Sequence, residues 1–324
     1  MTDLGDRLAS FDPGRVLTCP DGSVDAYVHV HDAGGRVTNR SAFGDRVEAG
    51  DRSFRLDPQW HEPGGQSVNM AVQAHALGAD TVLYGHCDDP VFDLPFEVVS
   101  LGSPARVTIC DFTDGDLMLA EEPADLQSCD DTDLRAAGAF DESPDAICLA
   151  NWSTVHGVVD ILGAFAATEG TAPIVLDPGS LSGLRNHRAV RFRDALIACS
   201  ESRPVLVSAN RAETNGLLEA LDLSGPIRST LPELRATLGV DGVVLHAAPE
   251  TLAATPDDLL AVETSVIEEP ATNTGGGDRF SATLACALAD GWELYPALEL
   301  ANAVAGHYIR TGETATREAL ADSL

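Results

Sequence analysis

The sequence predicts an α/β fold with a mostly parallel central sheet flanked by helices, and three observations carry that prediction. Short apolar runs at 146–150, 174–176, 205–207 and 243–245 alternate with helical stretches. A recurring β-then-α order builds parallel sheets covered by helices. Each run also ends on a polar residue, Asn151, Asp177, Asn210 or His246. Ligands gather at the carboxyl ends of strands in such sheets.

Taken in order, residues 17–30 read as the first strand, with Asp25 upon it. Gly64-Gly65 forms a turn into a helix that carries Asn69 and stops at Gly78, and residues 81–85 form a strand. Residues 26–61 and 95–123 hold β-type patterns without helices, with Asp114-Gly115 as a hairpin signal between two of the runs. The strand at 174–177 ends in Asp177-Pro178-Gly179, and the next ends in Asn210-Arg-Ala-Glu213. Asn151-Trp152 reads either as a pocket edge or as a simple loop.

The densest chemistry lies at 272–280, Thr-Asn-Thr-Gly-Gly-Gly-Asp-Arg-Phe. Phe280, Leu284 and Leu288 recur every four residues, so an amphipathic helix follows the glycines. Glycine lets the backbone approach a ligand closely, and a helix start aims unsatisfied N–H groups and a positive dipole end at the same point. Asp278 places a carboxylate beside that anion site. Such a placement is electrostatically costly unless a metal or a proton transfer uses it, which points to phosphoryl transfer with Asp278 as the base. A glycine-rich turn alone is common. No Lys-Ser/Thr follows to make a Walker loop, and no dinucleotide fingerprint is completed.

With Gly64-Gly65-Gln-Ser-Val-Asn69, the Asp-Pro strand end, Asn210-x-x-Glu213, and Ala301-Asn302-Ala-Val-Ala-Gly306 before Thr311-Gly312, the chain resembles the ribokinase/PfkB family of carbohydrate kinases along nearly its whole length. The resemblance implies one ribokinase-like α/β domain over residues 1–324. Residues 26–61 and 95–123 would form a small β lid, often a dimer contact in the family. It implies ATP and magnesium as cofactors. By resemblance Asp278 is the base, and Gly275, Gly276 and Gly277 form the anion hole. Asp25, Gly64, Gly65 and Asn69 hold the sugar, while Asn210, Glu213, Thr274, Asn302 and Gly312 serve the nucleotide and its magnesium. No protein residue is assigned as a direct metal ligand. Three departures stand out. Thr272 occupies a position where family members often carry a cation-binding aspartate, so dependence on a monovalent cation is left open. Residues 243–250 lack the usual Thr-x-Gly-x-x-Gly beside the nucleotide. Arg279 replaces a small residue, either to contact a transferring phosphate or to pair with a surface carboxylate.

Composition sets the surroundings. The chain of 324 residues carries a net charge of −31, which argues against nucleic acid as a partner. All 20 basic residues are arginine, a pattern resembling proteins of salt-loving organisms. Seven cysteines without a C-x-x-C pair indicate neither a zinc knuckle nor a disulfide frame. No signal peptide and no long apolar run are visible, so a cytoplasmic protein without membrane partners is expected.

Arg36, Arg40, Arg46, Arg52 and Arg55 crowd twenty positions of the predicted lid, among Asp32, Asp45, Glu48, Asp51 and Asp57. They either brace exposed strands or hold a phosphate already on the substrate, as in a pentose 1-phosphate or fructose phosphate. The expected activity is ATP-dependent phosphorylation of a sugar or sugar phosphate. A nucleoside kinase is the alternative, with Phe43, Phe54, Trp60 and Phe112 as candidate stacking surfaces. A non-catalytic sugar- or nucleotide-binding regulator is the other.

Overall fold

In the computed structural model, which describes residues 4–181, 185–272 and 274–321, fourteen strands form two sheets. They are β1 (Arg15–Cys19), β2 (Ser23–Asp32), β3 (Gly35–Val37), β4 (Arg55–Gly64), β5 (Asp80–Gly85), β6 (Glu97–Ser100) and β7 (Ala105–Cys110). The chain continues through β8 (Leu117–Glu121), β9 (Ala146–Ala150), β10 (Ile174–Asp177), β11 (Val205–Ala209), β12 (Gly242–Leu245), β13 (Glu250–Ala254) and β14 (Leu259–Glu263). Nine of them make the large sheet, in the order β14-β13-β12-β11-β10-β9-β1-β5-β6. All its pairs are parallel except β12–β13 and β13–β14.

Every residue of β9, β10, β11 and β12 is buried, which is why these strands read as unbroken apolar runs. Successive side chains still point to opposite faces. Ile147 and Leu149 join one cluster with Leu176, Phe192 and Leu196, under the helices Val158–Ala166 and Asn186–Ser200. Ala146, Cys148 and Ala150 face the other, with Met70, Phe280, Leu284 and Leu298 from the helices Gln66–Ala76, Gly276–Ala289 and Leu294–Thr311. Trp152 lies in the first layer, buried and stacked on Phe192 at 3.9 Å, so it is core and not a pocket edge. All seven cysteines are buried and unpaired. Among the described residues no helix is long and apolar enough to cross a membrane.

The expected single strand at 17–30 is two strands. Pro20 has no N–H to give a ladder, and the chain leaves the large sheet at Cys19 to enter the small one at Ser23. The small sheet runs β3-β2-β7-β8, with β4 also paired to β2. The expectation of a helix-free segment at 26–61 also fails, because Arg40–Glu48 is a helix whose N-cap Asn39 accepts from the N–H of Ala42 at 2.7 Å. At the second lid segment, β6 pairs with β5 in the large sheet.

The small sheet has its own apolar cluster of Val28, Val30, Val37, Cys110 and Phe112, with Phe43 and Phe54 against it. Its arginines mostly brace it. Arg36 pairs with Asp111 at 3.4 Å, Arg40 donates its N–H to Asp114 at 2.8 Å, and Arg46 pairs with Asp32. Leu56, Trp60 and Leu119 remain exposed, Trp60 stacked on Tyr27 at 4.4 Å.

Candidate active site

The parallel order reverses at β1, whose neighbours are β5 and β9, and the crevice at that reversal is where ligands bind in open α/β sheets. Asp21 sits there, just past β1. Its carboxylate accepts from the backbone N–H of Gln66 (3.0 Å) and Ser67 (2.7 Å) and from Asn151 Nδ2 (2.9 Å). The helix Gln66–Ala76 is thus capped by a side chain from the turn after β1, because its own N-cap, Gly65, has none to offer. Gly65 is itself required: its φ is 100°, and a Cβ would lie 2.8 Å from Gly22 Cα.

That cap fixes the helix face on which Gln66 and Asn69, three residues apart, point the same way. Asn69 Nδ2 donates to Asp278 Oδ2 at 2.7 Å. Gln66 Nε2 donates to Asp177 Oδ1 at 2.8 Å and to Asp278 Oδ1 at 3.3 Å. Asp278 lies in the first turn of the helix Gly276–Ala289, with Gly275 left-handed at φ 76° as its N-cap. Burial pushes the Asp278 carboxyl above its ordinary value, while Arg279 and the Asn69 amide pull it back.

Arg279 resolves one open alternative. It is 6% exposed and makes no ion pair among the described residues. Its guanidinium stacks over Tyr308 at 3.7 Å and donates from Nη1 to the Gly275 carbonyl at 3.1 Å. That carbonyl shares a peptide group with the Gly276 N–H, so the contact polarises a donor at the helix start.

Asp25 lies on β2 inside the small sheet, between Glu62 of β4 and Val107 of β7, and Ser23 Oγ donates to it at 2.5 Å. Burial pushes its carboxyl up to about 6. It packs so tightly on Gly64 that a Cβ there would fall 2.2 Å from Asp25 Oδ2. Asn210 and Glu213 form a capping box on the helix Arg211–Ala220: Asn210 Oδ1 accepts from the N–H of Glu213 at 3.0 Å, and Glu213 Oε2 from that of Asn210 at 2.8 Å. Burial raises Glu213 to about 7 and lowers His246 to about 4.

The model of the prokaryotic ketohexokinase family matches residues 7–324. The chain belongs to that family. It is a carbohydrate kinase, a phosphotransferase with an alcohol group as acceptor. A ketohexokinase of Haloferax volcanii is 26% identical over 345 aligned residues, covering 95% of this chain and 90% of the relative. Among solved structures, a ribokinase of Thermotoga maritima superposes with TM-score 0.66 at 16% identity, over 95% of this chain and 97% of its own. A nucleoside kinase of Burkholderia thailandensis, solved with inosine, gives TM-score 0.69 at 15% identity, over 95% and 94%. Both share the ribokinase-like fold.

In this kinase a cavity of about 310 Å³ opens beside the glycine turn, lined by Gly276 and Gly277, His246, Ala247, Val266, Ile267, Ala305 and Ile309. Asn302 stands in the wall between it and a second cavity of about 580 Å³, with Oδ1 accepting from Thr251 at 2.8 Å and Nδ2 unpartnered. Thr274 exchanges weak hydrogen bonds with Thr272 at 3.3–3.4 Å. Asn273, between them in the motif, lies outside the described residues. Gly312 does not line the 310 Å³ cavity; it ends the helix Leu294–Thr311 in a left-handed cap at φ 74°. Sequence reasoning missed Gln66 and Asp21. Only the spacing of Gln66, three residues before Asn69, carried a signal.

Proposed function

We propose that this kinase transfers the γ-phosphoryl group of ATP to a hydroxyl of a ketohexose, with fructose the first candidate. The observation that supports it best is the Asp278 carboxylate, held by amides from Gln66 and Asn69 at the helix start that the three glycines open. In this reading Asp278 takes the proton of the attacking hydroxyl. The N–H groups of Gly275, Gly276 and Gly277 stabilise charge on the passing phosphoryl oxygens. Asp25 and Asn69 orient the sugar, while Gly64 and Gly65 let the backbone approach it closely.

The nucleotide lies in the 310 Å³ cavity, whose apolar lining suits a purine base. The donors of Asp177, Glu213 and His246, gathered within 4.8 Å, fit a divalent cation. Magnesium, when bound with ATP, neutralises phosphate charge; Asn210 and Glu213 arrange its surroundings. The guanidinium groups of three lid arginines, Arg36, Arg40 and Arg46, already lie against lid aspartates, that of Arg40 at 3.8 Å from Asp114, which favours a neutral sugar over a sugar phosphate. Phe43, Phe54 and Phe112 pack on one another in the lid, which argues against base stacking there. The exposed Leu56, Trp60 and Leu119 suit a second copy of the chain at the lid. Seven unpaired buried thiols suit a reducing cytoplasm, and the acidic surface suits molar salt.

ADP release measured in molar KCl with magnesium tests the reading, against fructose, other hexoses, fructose phosphates and nucleosides. A kcat/KM higher for a nucleoside or a sugar phosphate than for every free ketohexose would overturn it.

A further inference from the structure

Arg279 stands in the first turn of the helix Gly276–Ala289, the end where the helix dipole is positive. A cation there opposes the dipole, and burial strips it of water. Its Nε is sealed from solvent without a hydrogen-bond partner among the described residues. Two contacts hold the side chain in this costly place. The Gly275 carbonyl accepts from its Nη1 at 3.1 Å and from its backbone N–H at 3.4 Å. Tyr308, in the last turn of the helix Leu294–Thr311, sets its ring centre 3.7 Å from the guanidinium carbon, at the negative end of that helix. The packing leaves no slack: a Cβ on Gly275 would fall 2.9 Å from Nη1 and 3.4 Å from Tyr308 Cε1. The guanidinium is thus committed to the turn's backbone and covered by a ring.

We propose that Arg279 is a positioning residue of the phosphoryl-transfer step: it clamps the Gly275 carbonyl and sets a permanent positive charge behind the glycine turn, without touching the phosphoryl group. A cation on that carbonyl oxygen draws electron density through the shared peptide group and makes the Gly276 N–H a stronger donor. The charge also acts directly across the protein interior. In molar salt an exposed charge is screened within about 3 Å, whereas a buried one is screened far less. Arg279 is therefore felt at the turn where surface arginines fade. The turn meets the phosphoryl group as it crosses from ATP to the sugar, so the charge favours the crossing more than bound ATP. An empty turn gains nothing from it, which accounts for a cation set against a helix dipole. The inference rests on the glycine turn receiving the transferred group, as proposed above.

The test compares full-length wild type, Asp278→Asn, Arg279→Met and Arg279→Lys in molar KCl with ATP, magnesium and the best acceptor of the sugar panel. Arg279→Met fills similar space without the charge. It is expected to lower kcat by about tenfold or more, with KM for ATP and for the sugar within about threefold. Arg279→Lys keeps the charge and is expected to recover most of that loss. An arginine that only packs would cost Arg279→Met melting temperature and leave kcat unmoved. Wild-type kcat in Arg279→Met, equal loss in both Arg279 variants, or a raised KM for ATP at constant kcat overturns the proposal. Should Arg279→Met fail to fold, Arg279→Ala is assayed with millimolar guanidinium and with urea, its neutral isostere. Recovery of kcat with guanidinium alone upholds the proposal, and an equal response to both overturns it. If Asp278→Asn loses turnover beside an unaffected Arg279→Met, this inference fails alone. Asp278→Asn at wild-type kcat defeats the reading of the glycine turn, and the inference with it.

Discussion

Asp278 owes its geometry to two amides on one helix face, 209 and 212 residues away in sequence. Its amide isostere keeps the shape and cannot take a proton. Asp278→Asn is expected to lower kcat on the order of 10²–10⁴-fold while nucleotide affinity stays within about threefold, as steady-state kinetics and nucleotide titration will show. Asp25 makes a pH prediction. Its folded value of about 6 lies above its ordinary 3.8, so the folded state holds an extra proton between those values. Its contribution to stability is therefore full below about 4 and is lost as pH rises through about 6. Melts of the nucleotide-free protein should show that loss, and Asp25→Asn should flatten it. Under the proposed role of Asp25 in orienting the sugar, the same proton removes a hydrogen-bond acceptor, so KM for the sugar should climb below pH 6 in the wild type alone. Asp278 with Gly275–Gly277, and Asn69 with Gly64-Gly65, could be named because each of the two motifs is local. Gln66, Asp21 and the partners of His246 were not, since each contact joins residues that only the sheet brings together.

At the scale of elements, the glycine turn between β4 and the helix Gln66–Ala76 is shaped by what touches it. Gly64→Ala would drive a methyl into the Asp25 carboxylate. It is expected to raise KM for the sugar by about tenfold, leave KM for ATP unmoved, and cost roughly 1–3 kcal/mol of stability, read by kinetics and denaturant titration. Arg36 on β3, and Arg40 and Arg46 on the helix Arg40–Glu48, brace the small sheet through aspartates. Arg36→Ala, Arg40→Ala and Arg46→Ala should each cost under about 1 kcal/mol and leave KM for the sugar unchanged. The parallel strands were legible as apolar runs because both their faces are covered. The lid was read less well: Arg40–Glu48 buries no residue, so its sequence lacks the apolar period that marks a helix. The split of the first strand at Pro20 escaped notice because apolar residues continue on both sides of it, while the two halves serve different sheets.

Over the whole molecule, 51 acidic side chains face 20 arginines. Self-repulsion is long-ranged in dilute buffer and collapses to about 3 Å in molar salt. The melting temperature is expected to rise steadily along a KCl series; a melt indifferent to salt would contradict this. The separate cores give that series a spatial reading. Cys110 belongs to the small cluster of the lid, whereas Cys148 and Cys286 lie in the large one beneath the central sheet. A buried thiol reacts with an alkylating reagent only when its surroundings open. Alkylation followed by peptide mass spectrometry along a falling salt gradient therefore reads out which layer comes apart first. Cys110 should be modified at salt concentrations where Cys148 and Cys286 are still protected, so the enzyme would lose its grip on the sugar before its scaffold dissolves.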